Sequence, residues 1–175
     1  MMKKTLFILC LTTAVGLLFA GCQKASKDSE LLRHYSIDSL EGVLTKTGIV
    51  FDEEITEDGN GSIRVRADEP GQVPLFETGD IDVENARLIY QAKVRTEGVE
   101  GKVYLEMWCR FPGKGEFFSR ALHASLTGNS DWTQQETPFL LKSGENPDNV
   151  MLNLVIEGTG TVWIDDIRLV KAPLK

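Results

Sequence analysis

Between Val103 and Arg110 the chain places Tyr104, Glu106, Trp108 and Arg110 at every second position, interleaved with Val103, Leu105, Met107 and Cys109. In a strand, successive side chains point to opposite faces, so this pattern sorts two rings, a carboxyl and a guanidinium onto one face and apolar groups onto the other. Rings packed against the apolar face of a sugar, with charged groups bonding its hydroxyls, make a carbohydrate surface. Gln91 and Lys93 hold the equivalent phase in the alternating segment Arg87 to Arg95. They join the same face if residues 96–101 close a hairpin. The plainer alternative packs Tyr104 and Trp108 beneath a loop and leaves Glu106 and Lys93 as a cross-strand pair.

Other chemistry-bearing residues offer less. His34 and His123 are the two histidines of the chain. No nucleophile elbow accompanies them, and there is no metalloprotease-type His spacing. The expectation is a protein that is not an enzyme. Asp165 and Asp166 interrupt an otherwise apolar segment, where Asp is disfavoured. If Trp163, Ile167 and Leu169 face inward, so does Asp165, and a buried carboxylate needs a cation or several N–H donors. Trp132 and Trp163 are expected to fill the core.

The N-terminus carries targeting information. Lys3 and Lys4 precede a run without charge from Thr5 to Ala20, closed by Ala20-Gly21-Cys22. A basic start, a short apolar stretch and small residues before a cut describe an export signal over residues 1–21. The closing residues resemble the lipobox of bacterial lipoproteins, which implies diacylglycerol on Cys22 and anchoring through two or more acyl chains. Gln23, where Asp would resemble an inner-membrane retention signal, points to the outer membrane. With Cys10 removed and Cys22 acylated, Cys109 stands alone, in phase with buried neighbours, and reads as a small core hydrophobe.

Charge narrows the partners. The chain has 19 basic and 26 acidic residues, net −7. Without Lys3 and Lys4 the balance is 17 to 26, or −9. Nucleic acid would need a basic surface and is excluded.

These residues must be positioned by β structure. Residues 22–34 are polar and mixed in charge and read as a lipidated tether, with at most a short helical turn near Glu30-Leu31-Leu32. From Tyr35 to Lys175 the segments 48–55, 62–67, 87–95, 102–110, 117–126, 133–141, 150–156 and 161–170 carry strand patterns. Asp58-Gly59-Asn60-Gly61 marks a turn, and Pro70, Gly71 and Pro74 mark a loop. The expected class is all-β, a two-sheet antiparallel sandwich.

Leu126-Thr127-Gly128, Asp131-Trp132-Thr133, Phe139, the stretch from Val150 to Gly158 and the closing Trp163-Ile164-Asp165-Asp166-Ile167-Arg168-Leu169 resemble the jelly-roll carbohydrate-binding modules of the galactose-binding-like fold. The resemblance spans roughly residues 36–171. It implies a non-catalytic domain that binds glycan or a cell-envelope polymer. It also implies that Asp165 helps hold a structural calcium, against the alternative of an Asp bonded to loop N–H groups. A structural or protein-interaction lipoprotein of the envelope, with no sugar ligand, is the competing function.

Overall fold

The computed structural model describes residues 29–174. The export signal, Cys22 and the first part of the expected tether lie outside the described residues.

Eight strands make up the domain: β1 (Glu30–Tyr35), β2 (Ile49–Asp52), β3 (Ser62–Ala67), β4 (Gly71–Thr78), β5 (Ala86–Phe111), β6 (Gly115–Arg120), β7 (Leu126–Leu141) and β8 (Asn149–Pro173). Among the described residues, the 3-10 turn Leu122–Ala124 is the one helical element. Every pairing is antiparallel. The all-β expectation therefore holds.

Two long strands build the sandwich. β5 has 26 residues and β8 has 25, and they pair along nearly their whole length. Their partners change midway. From Glu106 to Phe111, β5 pairs with β6, and the same half of β8, from Val150 to Ile156, pairs with β4. Before Glu97, β5 pairs with β7, while β8 from Gly160 onward pairs with β3 and then β1. One layer is thus β4-β8-β5-β6. The other is β8 and β5 again, with β7 on one side and β1, β3 and β2 on the other. Between the layers lie Leu88, Tyr90, Ala92 and Val94 from one half of β5 and Val103, Leu105, Met107 and Cys109 from the other, all buried. Leu152, Leu154, Val162, Ile164, Ile167 and Leu169 of β8 complete the core.

The corner where both strands pass between layers requires glycine. A Cβ on Gly101 would stand 2.0 Å from the Glu157 carbonyl oxygen, and Gly101 has a φ of +126°. Gly158 faces it, and its Cβ would stand 1.8 Å from the Glu100 carbonyl oxygen. Two backbones approach here more closely than any side chain permits.

Several elements differ from the pattern reading. The hairpin expected at residues 96–101 is this corner. Val99 stays buried within it and the chain continues as one strand. The tether drawn over residues 22–34 ends before Glu30, because Glu30 to Tyr35 pair with Lys171 to Ile167. Leu32 packs on the core while Leu31 is exposed, which is strand alternation too short to read without its partner. β4 begins inside the expected Pro70–Pro74 loop and runs on to Thr78. It pairs with β8 on one side, and a proline on such an edge gives up no sheet hydrogen bond. On its outer side the Pro74 carbonyl accepts from Thr45 N at 3.2 Å.

Cys109 is a free thiol within the core, and burial pushes its pKa up to about 12. A thiol without thiolate character is a poor nucleophile. In native protein, a chromogenic disulfide reagent is expected to leave Cys109 unmodified for hours and to react within minutes once denaturant is added. Reductant is expected to leave the melting temperature unchanged. Fast native reaction, or a melting point that falls with reductant, would contradict this account.

Candidate functional site

The face of the β4-β8-β5-β6 layer that points away from the core carries the suspected alternation. Tyr104, Glu106, Trp108 and Arg110 stand in line along β5. Register sets Arg120, Phe118 and Glu116 of β6 beside Glu106, Trp108 and Arg110. On the other side it sets Val155, Asn153, Met151 and Asn149 of β8 beside Tyr104 to Arg110.

Glu106 is the hub of this face. It is fully buried, yet its carboxyl accepts from Trp108 Nε1 at 2.6 Å, from Arg120 Nε at 2.5 Å and from Asn153 Nδ2 at 3.4 Å. A buried carboxyl met by three donors is satisfied in place and locks the groups that donate to it. The hydrogen bond to Glu106 raises the Arg120 pKa, keeping the guanidinium charged. Arg120 lies 4.4 Å from the centre of the Phe118 ring, and Phe118 tilts against Trp108 at 5.0 Å. Phe118 is half exposed. The outcome is an aromatic step, Trp108 and Phe118, fixed from below by Glu106.

Next to it is a concavity of about 200 Å³ lined by Gln72, Trp108, Arg110, Glu116, Asn149 and Met151. Its apolar walls are Trp108 and Met151. Its polar groups are two amides, a carboxyl and a guanidinium, with Arg110 braced by Asp148 at 2.9 Å. Four polar side chains thus converge beside one indole ring, in a shallow site suited to hydroxyl-bearing ligands.

The six residues singled out from sequence divide. Trp108 and Arg110 line the concavity. Glu106 holds the aromatic step from beneath, and Tyr104, 2% exposed, donates its hydroxyl to Glu157 at 2.8 Å. Burial first, then Glu157, pushes the Tyr104 hydroxyl up to about 12. Gln91 and Lys93 do not join them. With no hairpin at 96–101, they belong to the other layer. There Gln91 bonds Glu136 at 2.9 Å and Lys93 lies 3.5 Å from Glu57. Sequence reasoning missed Gln72, Glu116, Phe118, Arg120, Asn149 and Asn153. Glu116, Phe118 and Arg120 alternate in the short β6, a signal present in the sequence. The remaining three depend on register.

Asp165 belongs to neither face as expected. A β-bulge in β8 at Asp166, whose φ is +49°, switches the side-chain phase. Val162, Ile164, Ile167 and Leu169 all face the core, whereas Trp163 and Asp165 point away from it yet remain buried. Asp165 lies under the loop between β2 and β3. Its carboxyl oxygens accept from Asp166 N at 2.6 Å and Glu57 N at 3.1 Å. Burial raises its pKa against these two bonds. N–H donors aimed at both oxygens suit an anion and do not form the oxygen shell that calcium requires. Among the described residues, no group of three or more His, Cys, Asp or Glu gathers as a metal site. Asp165 so bonded matches the alternative read from the sequence, an Asp held by loop N–H groups. Melting temperatures in added calcium and in excess chelator are therefore expected to agree. A fall of several degrees on chelation, the size produced by a saturated stabilising ion, would show a shell built from backbone carbonyls.

Trp163 is likewise outside the core it was expected to fill. Its indole donates to Asp52 at 3.0 Å and Arg95 lies 5.8 Å from its ring. Burial alone would raise Asp52, but bonds from Trp163, Ile55 N and Glu54 N, with Arg64 nearby, hold its pKa below the usual value. Trp132 is partly exposed on β7 and also points away from the core.

The sequence matches no family model and no curated protein. The fold has many solved likenesses. The CBM22-1 xylan-binding domain of Paenibacillus barcinonensis Xyn10C superposes with a TM-score of 0.61 at 13% identity, over 86% of this chain and 100% of that one. The CBM22-1 and GH10 modules of the Clostridium thermocellum endo-1,4-beta-D-xylanase 10B, complexed with xylohexaose, give 0.59 at 13% identity over 83% of this chain and 29% of that one. A family 16 carbohydrate-binding module gives 0.53 at 12% identity, over 77% and 92%. The fold is that of the β-sandwich carbohydrate-binding modules.

Proposed function

We propose that this protein is a non-catalytic glycan-binding module held at a bacterial membrane by an acylated Cys22, with the β4-β8-β5-β6 face as its binding groove. One observation carries the reading: an aromatic step, Trp108 and Phe118, beside a concavity whose polar lining is amide, carboxyl and guanidinium. A pyranose ring presents the complement, one apolar face edged by hydroxyls. The likeness to xylan-binding domains supports the same class of ligand and makes xylohexaose the first probe.

The protein is expected to bind one or more neutral oligosaccharides on a glycan array. Trp108→Ala is expected to weaken that binding tenfold or more, about 1.4 kcal/mol, by removing the stacking floor. Lys93→Ala, on the other layer, is expected to leave affinity unchanged. An array with no retained glycan would favour the envelope-protein partner instead, and equal affinity in Trp108→Ala would put the glycan on another face. Acylation is tested separately. Cys22→Ser is expected to abolish labelling by a palmitate analogue, and normal labelling of that variant would remove the anchor.

A further inference from the structure

The outer face of the β7-β5-β8-β1 layer ends in apolar residues that no sugar site uses. Register aligns Leu31, Val170, Ile89 and Pro138 in one row across four strands. The next row holds Ala172, Arg87 and Leu140. Leu31 is 55% exposed, Leu140 62%, and Leu174 beyond the strand end 42%. Three strand spacings make the first row about 14 Å wide. On its far side the face turns polar at once, through His34, Arg168, Gln91 and Glu136. Arg87, anchored through its Nε to the Pro173 carbonyl at 3.1 Å, supplies a cation within the apolar end.

The position of this patch identifies its occupant. β1 begins beside it, with Glu30 opposite Lys171 and Leu31 opposite Val170. Cys22 lies seven residues before Ser29, so the chain between them spans at most about 25 Å. Leu31 is thus held within reach of the acyl chains on one side of the domain. A polar band beyond an apolar edge is the profile of a surface seated at the lipid interface.

We infer that this end of the β7-β5-β8-β1 face rests on the bilayer that carries the anchor, with Leu31, Leu140 and Leu174 entering the headgroup region and Arg87 meeting lipid phosphate. The inference rests on the reading that Cys22 is acylated. It sets the orientation of the domain, because the aromatic groove lies on the other layer and is turned away from the membrane toward polymer outside.

The test uses the full acylated chain in phosphatidylethanolamine–phosphatidylglycerol vesicles. A fluorophore is attached at Leu140→Cys in one sample and at Glu116→Cys in another, with buried Cys109 left unlabelled. Lipids bearing a nitroxide near the headgroup are expected to quench the label at 140 by more than half and to leave the label at 116 unchanged. A chain that fails to float with the vesicles overturns the anchor and this inference with it. A chain that floats while the label at 140 is unquenched, or while both labels are quenched alike, overturns the orientation alone.

Discussion

Gly101→Ala is expected to cost about 4 kcal/mol or more and to lower the melting temperature by on the order of 10 °C, at roughly 2–4 °C per kcal/mol for a domain of this size. A methyl there would lie 2.0 Å from the Glu157 carbonyl oxygen, and that carbonyl belongs to the paired strand. Neither backbone can retreat without breaking the ladder that carries β5 and β8 between layers. Alanine would also have to adopt a φ of +126°. Gly113→Ala is the control. Gly113 has a φ of +71° with nothing within 4 Å of a new Cβ, so backbone strain alone, about 1 kcal/mol, is expected. Thermal melts of the two variants measure the difference. Equal losses would mean that the corner is not as tight as described.

Glu106→Ala is expected to destabilise the domain by about 3 kcal/mol and to remove glycan binding with it. The variant strands the Trp108 indole N–H and the Asn153 amide, both of which now donate to the buried carboxyl. An unmet buried donor costs about 1–3 kcal/mol. Arg120 adds less, since more than a third of its side chain reaches solvent and regains water. Glu106→Gln separates the two losses. It fills the same space and still accepts one bond, so most of the stability returns. Its amide nitrogen turns a donor toward a donor, so the Trp108 and Phe118 step loosens and affinity is expected to stay several-fold down. Glu106→Gln with full affinity would show that the carboxyl does not position the aromatic step.

How much of this was readable from residues alone follows from physics. Period-2 alternation over Arg87 to Arg95 and Lys102 to Arg110 revealed both halves of β5, because burial on one face forces it. It could not reveal that the halves are one strand. Gly98 and Gly101 serve a turn and a corner equally well, and the Glu157 carbonyl that decides between them lies far away in sequence. That single ambiguity moved Gln91 and Lys93 to the wrong layer. Trp163 and Asp165 failed for a related reason. One extra residue at Asp166 shifts the phase of β8 from Val162 and Ile164 to Ile167 and Leu169, and Trp163, itself apolar and in step with Ile167, hid the change. Trp108 and Arg110 were found because they lie in an unbroken alternation. Gln72 and Asn149 were not, since only register brings them to the same concavity.

The most direct test of the groove follows the three indole N–H resonances, from Trp108, Trp132 and Trp163, while xylohexaose or the strongest glycan from an array is titrated in. Trp108 stands in the groove with its indole bonded to Glu106. Trp163 is buried on the other layer, bonded to Asp52. The Trp108 signal is expected to move progressively and saturate while the Trp163 signal stays in place. A saturating shift of Trp163 with Trp108 unmoved would contradict this, and would place the ligand on the face assigned here to the other layer.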